Sequence, residues 1–489
     1  MPEPWRPHAG QRKAVRFLIE HGAGALFADP GVGKTSAVYA AFRFLKKQKL
    51  ANRMLVIAPL RPAQMTWPAE AEKWNEFSEF SVTVLHGKDR EKRLFDTAND
   101  VCVINPEGFD WLLDARQAKS ASGRMNVVCD LKKFKAHGFD TLVIDELTML
   151  KRTNTVRFKT LRAVMDTFSR RWGLTGTPAP NGLLDLFGQC FVLDGGRSLG
   201  RYVTHYRNTF FDLGYDGFTW KLKDGAEEKI YERLRPLVLR LAAEDYVDMP
   251  DLVENVIKFE LPAAARRVYD ELEDDLISML ESGSKVVAAN SAAASSKIRQ
   301  VCNGGVYIED LPVGVPTPSN IVRSGKPWAH LHNGKTDLLE ELLNELQGTP
   351  VLVAYEFKHD LERIQKRFGL DVPHIGGGTT EKRAKELEAA WNAGELPMLV
   401  GHPQSIGHGL NLQHAGNHVC FYAPIWNLEL HDQFIGRVRR QGSVHKRVFV
   451  HYLAARDTID EAIMWSPKAK AKEQDALLGA LKKVRATRK

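Results

Sequence analysis

The sequence predicts an α/β protein made of two blocks, each a parallel sheet flanked by helices. Three observations predict it. Short apolar runs recur early in the chain, at Gly24 to Ala28, Met54 to Ala58, Val101 to Ile104 and Thr141 to Ile144. Each is followed by a turn and a helical polar–apolar pattern, the texture of strands covered on both faces. The same texture returns late, at Pro350 to Ala354, Pro397 to Val400, His418 to Tyr422 and Arg447 to Tyr452. The chain has 489 residues, of which 44% are hydrophobic and 26% charged, so two lobes with packed cores fit and wholesale disorder is excluded. No apolar run approaches the ~20 residues that a membrane-spanning helix needs.

The stretch between the blocks differs. From about Gly188 to Asp248 it is aromatic and basic, as in Arg201-Tyr202, His205-Tyr206-Arg207 and Phe210-Phe211. Leu261 to Gln300 reads as helical, and Asp310 to Lys326, rich in Pro, Gly and Ser, reads as a loop. The expected boundaries are 1–258 for lobe 1, with a helical insertion at about 188–248, then 259–465 for linker helices and lobe 2, and 466–489 for a basic tail. The net charge is +8, and residues 466–489 hold +6 of it. Such a tail suits contact with a polyanion, although a charge run is often just a solvated end. The five cysteines (102, 129, 190, 302, 420) form no CxxC pair, which argues against a zinc site or a disulfide framework. Met1 to Pro7 lacks the apolar core of a secretion signal, so a cytoplasmic location is expected.

The strongest local signal is Ala28-Asp29-Pro30-Gly31-Val32-Gly33-Lys34-Thr35, between an apolar strand and an apolar helix pattern. Glycines let backbone N–H groups turn inward around phosphate, and a helix N-terminus favours anions. Lys34 would reach the β/γ-phosphates, and the Thr35 hydroxyl would bind Mg²⁺. Ala28 stands where the P-loop pattern has its first glycine. About 110 residues on, Leu142-Val143-Ile144-Asp145-Glu146 ends an apolar strand in two carboxylates. Asp145 would hold Mg²⁺, and Glu146 would act as general base on the attacking water.

These residues resemble the superfamily-2 helicase-like motors, and within them the Swi/Snf-type translocases. Gln11 is similar to the adenine-reading glutamine of that family. Met54 to Pro59, with Trp67, Glu70 and Trp74 downstream, resembles motif Ia and its W…E…W extension. Ile144 to Lys151 resembles motif II, with Leu147-Thr148 where Ala-His is usual. Leu174-Thr175-Gly176-Thr177-Pro178-Ala179-Pro180-Asn181 resembles motif III in its LTGTPxxN form. Leu234 to Arg240 with Asp248-Met249-Pro250, Ile298 to Asn303, and Asn333-Gly334-Lys335 match further family segments. Val351 to Tyr355, Gly409 to Leu412, Trp426-Asn427 and Gln433 to Gln441 resemble the motifs of a second lobe. Motif V departs from the usual Ser-Thr opening, reading Gly401-His402-Pro403-Gln404-Ser405. No histone-reading extension is visible, so the chain looks like the motor alone, the form found in bacterial and phage members.

The resemblance implies two RecA-like lobes and an ATP- and Mg²⁺-dependent nucleic-acid motor, with a cytoplasmic site in a bacterial or phage-infected cell. Lobe 1 would contribute Gln11, Gly31, Val32, Gly33, Lys34, Thr35, Asp145 and Glu146. Lobe 2 would contribute Gly409, Gln433 and two arginine fingers, Arg437 and Arg440, three residues apart on one helical face. Arg439 would point elsewhere. Pro59, Arg61, Asn105, Tyr355 and Ser405 are candidates for phosphate-backbone contact, together with the segment Arg197 to Arg207. Tyr202 and Tyr206 suit such contact and core packing equally. Double-stranded DNA is the expected track and a monomer the expected form, with a loading partner open. A strand-separating DNA or RNA helicase, and a nucleotide-dependent recruitment module, are the alternatives.

Overall fold

The structure, a computed structural model, describes residues 2–29, 31–95, 99–119, 125–176, 178–179, 182–214, 220–242, 246, 249–282, 286–310, 321–322, 326–406, 409–440, 442–465 and 481–486. The chain divides into two compact units, residues 1–248 and 249–489. Among the described residues no helix is long and apolar enough to cross a membrane.

The first unit is built on seven strands: β1 (Ala23–Ala28), β2 (Met54–Ile57), β3 (Val82–Val84), β4 (Val101–Ile104), β5 (Thr141–Asp145), β6 (Arg170–Thr175) and β7 (Val238–Leu241). They pair in parallel in the order β7-β1-β6-β5-β2-β4-β3. β2 and β4 are buried along their whole length, because helices cover both faces. Helix α1 (Ala9–Glu20) starts on a reciprocal cap, in which the Gln11 amide donates to His8 Nδ1 and the His8 amide donates to Gln11 Oε1. Helix α2 (Lys34–Lys47) follows β1. All nine residues of helix α3 (Leu186–Asp194) are buried.

The segment expected to be a helical insertion is more mixed. Its first helix, α3, belongs to the core, and β7 near its end is a strand of the main sheet, paired with β1. Between them lie the helices Val203–Phe210 and Ala226–Leu234 and an antiparallel pair, Phe211–Leu213 with Trp220–Leu222. Tyr202 and Tyr206 part company. Tyr206 is fully buried and donates its hydroxyl to the Leu183 carbonyl at 2.8 Å, whereas Tyr202 is 66% exposed.

The second unit holds β8 (Asp251–Phe259), β9 (Val351–Ala354), β10 (His374–Ile375), β11 (Met398–Gly401), β12 (His418–Phe421) and β13 (Arg447–Ala455). They form an all-parallel sheet ordered β8-β13-β12-β9-β11-β10. A lobe boundary at 258 therefore falls inside a strand. β8 pairs with β13 along its whole length and belongs to the second sheet, so the division lies at 248/249. Two RecA-like α/β lobes result, as expected. Helices α4 (Ala263–Ser282) and α5 (Val286–Asn303) precede the rest of this sheet. Part of the expected loop at 310–326 is strand instead: Ile321–Val322 pairs with Trp328–His330, which also pairs with Gly305–Tyr307. Lys335, fully buried, donates to Asp460 Oδ2 at 2.7 Å and Asn303 Oδ1 at 2.8 Å, tying α5 to the helix Ile459–Trp465. A buried ammonium is tolerated there because it is both ion-paired and hydrogen-bonded.

Residues 466–480 and 487–489 of the tail lie outside the described residues. Residues 481–486 are helical, with Leu481 and Val484 buried in one apolar cluster with Leu276, Ile298 and Ile459. Arg485 pairs with Asp274 at 2.6 Å.

Candidate active site

β1 delivers the P-loop at its carboxyl end. Gly31 and Gly33 have φ of 91° and 80°, the left-handed region that side chains disfavour. A Cβ on Gly33 would stand 2.2 Å from Gln11 Nε2, so this glycine also lets Gln11 lie against the loop. Sequence reasoning missed His8, whose Nε2 is 3.1 Å from the Val32 carbonyl. Lys34 opens α2, with its ammonium donating to the carbonyls of Ala28 (2.6 Å) and Asp29 (3.2 Å). Thr35 sits half-buried in the first turn, where the helix dipole favours an anion. Pro30 lies outside the described residues.

β6 lies between β1 and β5, so the ends of these parallel strands share one sheet edge. Asp145 closes β5, and the Trp67 indole donates to its Oδ2 at 2.9 Å. Burial raises the Asp145 pKa above the usual carboxylate range, partly opposed by the Trp67 hydrogen bond and the Lys34 charge. Glu146 is left-handed, with φ 72° and ψ 75°. That conformation costs roughly 1–3 kcal/mol for a residue with a side chain and persists where neighbours enforce it. Here the Glu146 amide donates to the Leu174 carbonyl, and its Oε1 accepts hydroxyls from Thr148 and Thr175, each at 2.9 Å. The unusual Leu147-Thr148 pair thus has a local account. Thr148 orients the Glu146 carboxylate, and Leu147 fits because residue 173 is glycine, where a Cβ would be 2.4 Å from Leu147 Cδ1. Thr177, Pro180 and Asn181 of the third motif lie outside the described residues.

In the second unit, helix α6 (Leu428–Ile435) stops short of the arginines. Arg437 and Arg440 therefore do not share a helical face, because Gly436 caps the helix and the chain turns. They remain neighbours. Arg437 donates to the carbonyls of Gln433 and Leu410, both at 3.1 Å, and Arg440 donates to Asn411 Oδ1. Burial first, then the Arg440 charge, pull the Arg437 pKa down to about 9, with Glu388 opposing. Glu388 escaped sequence reasoning. Its Oε1 accepts the Asn411 amide at 2.7 Å, and its carboxylate feels both guanidiniums. Gly409 is left-handed at φ 85°. Gln433 is buried, and among the described residues its Oε1 has no hydrogen-bond partner. Arg439 points away from the pair, to the Pro250 carbonyl at 2.8 Å. Gln441 lies outside the described residues.

The candidate nucleic-acid contacts divide. Pro59 and Arg61 are half-buried just past β2, beside a π-helical turn, Pro62–Thr66. Asn105 follows β4, with its Nδ2 donating to Glu107 at 2.8 Å. Ser405 is half-buried in the short helix Pro403–Ile406. Tyr355 is not available for such contact. It is 6% exposed within the lobe 2 core, because the burial of β9 continues one residue past the strand. Arg197, Arg201 and Tyr202 are exposed.

A glycine cradle, a lysine at a helix start and an Asp-Glu strand end on one sheet edge, with paired arginines in a second α/β unit, define a helicase-like ATPase. The family models agree: residues 10–305 match the SNF2-related domain and residues 334–442 the helicase conserved C-terminal domain. The chain belongs to the SNF2-related family. It is 35% identical over 500 residues to protein p41 of Acyrthosiphon pisum secondary endosymbiont phage 1, covering 98% of this chain and 99% of that one. It is 24% identical to the chromodomain-helicase-DNA-binding protein 3 homolog of Caenorhabditis elegans, over 93% of this chain but only 26% of that protein. The SWI2/SNF2 ATPase core of Sulfolobus solfataricus, solved with dsDNA, is 20% identical over 95% of this chain and 92% of that one, with a TM-score of 0.42.

Proposed function

We propose that this chain moves along double-stranded DNA by hydrolysing ATP with Mg²⁺. The observation that carries the reading is the gathering of Lys34, Thr35, Asp145 and Glu146 past the carboxyl ends of two parallel strands that flank β6. The residues fit the ligands. Gly31 and Gly33 hold the left-handed backbone that such a turn needs, Gly33 lets Gln11 lie against it, and the Thr35 hydroxyl and Asp145 carboxylate are the hard oxygen donors that Mg²⁺ prefers. ATP supplies the transferable phosphoryl group, and the cation spreads its charge. Glu146, held by Thr148 and Thr175, takes the proton of the attacking water. Lys34 binds phosphate, and Gln11 meets the base. Arg437 and Arg440 of the second unit carry the planar guanidiniums that suit charge developing on phosphoryl oxygens. Gly409 and Gln433 line the lobe 2 side. Pro59, Arg61, Asn105 and Ser405 touch the phosphate backbone, which a motor must hold at any sequence.

The test is ATPase activity measured side by side with no nucleic acid, single-stranded DNA, double-stranded DNA and RNA, followed by displacement of a triplex-forming strand. Strongest stimulation by double-stranded DNA, with triplex displacement, is expected. Preference for RNA or for forked DNA with strand separation would replace translocation by unwinding.

A further inference from the structure

Trp67 and Asp145 stand 78 residues apart, yet the indole N–H of one meets the carboxylate of the other at 2.9 Å. Trp67 has no exposed surface and opens the helix Trp67–Lys73, directly after the π-helical turn Pro62–Thr66. Such turns are rare and gather at functional sites, because the extra residue re-aims the side chains that follow. The Trp67 carbonyl accepts the Tyr39 hydroxyl at 2.8 Å, and the two rings meet edge-on at 5.4 Å. Tyr39 lies in α2, the helix that begins with Lys34 and Thr35. One turn past Trp67, Glu70 Oε1 accepts the hydroxyl of Ser36 and the indole N–H of Trp74, the latter at 2.7 Å. Ser36 is the residue after Thr35. A single segment therefore grips both elements that present oxygen donors, the end of β5 and the start of α2.

We infer that Trp67 is a positioning residue for the metal-binding carboxylate of Asp145, with Glu70 bracing the P-loop helix beside it. The inference rests on the reading that Asp145 and Thr35 hold Mg²⁺. A carboxylate at a strand end swings about its own side-chain bonds. The indole engages Oδ2 and fixes that swing. Indole nitrogen only donates, so Trp67 cannot itself be a ligand. Partners of this outer kind are worth about 10–100-fold in metal affinity.

The experiment uses the full chain and a fluorescent ADP analogue, with its affinity measured in EDTA and across a Mg²⁺ titration. Trp67→Phe keeps an aromatic ring and removes the donor. It should raise the Mg²⁺ concentration for half-maximal tightening about 10–100-fold, with affinity in EDTA within about twofold of wild type. Tyr39→Phe removes a buried hydrogen bond to the same tryptophan without touching the carboxylate. It should lower the melting temperature and leave the Mg²⁺ midpoint in place. A second measurement needs no variant. With ¹⁵N-labelled indoles, Mn²⁺ with ADP should broaden one of the ten tryptophan N–H signals well before the rest. A Trp67→Phe titration matching wild type, equal shifts in both variants, or no selective broadening would overturn the brace. A wild-type chain whose nucleotide affinity ignores Mg²⁺ would overturn the metal site itself, and the brace with it.

Discussion

Leu147 and Gly173 form a size-matched pair at the base of the catalytic strand ends, and exchanging their volumes tests that match. Leu147 is fully buried, so Leu147→Ala leaves a void and should cost about 2–5 kcal/mol. At roughly 2–4 °C per kcal/mol for a unit of this size, the first unit should melt at least ~4 °C lower. Gly173→Ala places a Cβ at 2.4 Å and 2.7 Å from the Leu147 Cδ atoms and at 2.7 Å from its Cγ. Overpacking of this kind costs about 1–3 kcal/mol. In the double variant the new methyl enters the space that the leucine vacated. The two costs should then fall short of additivity by about 0.5–3 kcal/mol, the range for residues in contact. Thermal unfolding of the four proteins gives the cycle, and ATPase activity reports whether Glu146 returns to its place. Costs that add within about 0.5 kcal/mol would show that the two residues do not sense each other. The account of the Leu147 departure would then be wrong.

Glu146→Gln should keep ATP binding and lower turnover by about 10²–10⁴, the usual worth of a general base, read by steady-state hydrolysis beside nucleotide binding. Arg437→Ala and Arg440→Ala should each abolish DNA-stimulated hydrolysis while Arg439→Ala stays mild; equal damage at all three would mark a generic basic face. Removing residues 481–489 exposes the sockets of Leu481 and Val484, worth about 3 kcal/mol together, and should lower the melting temperature by roughly 6–12 °C. Extending the deletion to 466 should also flatten the salt dependence of DNA binding by ~0.9 log units per lost phosphate contact; an unchanged slope would leave the tail a purely structural element. Burial, then the neighbouring His418, lowers the His451 pKa to about 4. The unfolded chain therefore binds the extra proton first, so second-unit stability should fall as pH drops from ~6.5 toward 4, and His451→Gln should blunt that fall in melting temperatures taken across pH.

The sequence made the phosphate cradle and the Asp-Glu strand end legible because each is a contiguous run whose chemistry is fixed by residue type. Geometry carried by backbone turns was harder to see. The spacing of Arg437 and Arg440 suggests a helix, but Gly436 ends it. Tyr355 looks like an exposed strand-end aromatic until the burial of β9 is known. β8 reads ambiguously because Leu-Val-Glu-Asn-Val-Ile mixes polar and apolar residues, as an edge strand does, and its partner lies nearly two hundred residues away. The contacts of Trp67 with Asp145, and of Thr175 with Glu146, join distant segments, so no local pattern announces them.

That distance between β8 and β13 bears on how the protein is made. Ribosomes deliver the chain from its N-terminus at about 5–20 residues per second. The first sheet is complete once β7 emerges to pair with β1. β8 follows at once, but its one neighbour in the sheet among the described residues starts at Arg447. For about 10–40 s of synthesis at that rate, the nine residues of β8 have no strand to pair with. Glu254 and Lys258, charges set among Val253, Val256 and Ile257, keep that waiting segment from being a uniformly apolar template for a neighbouring nascent chain.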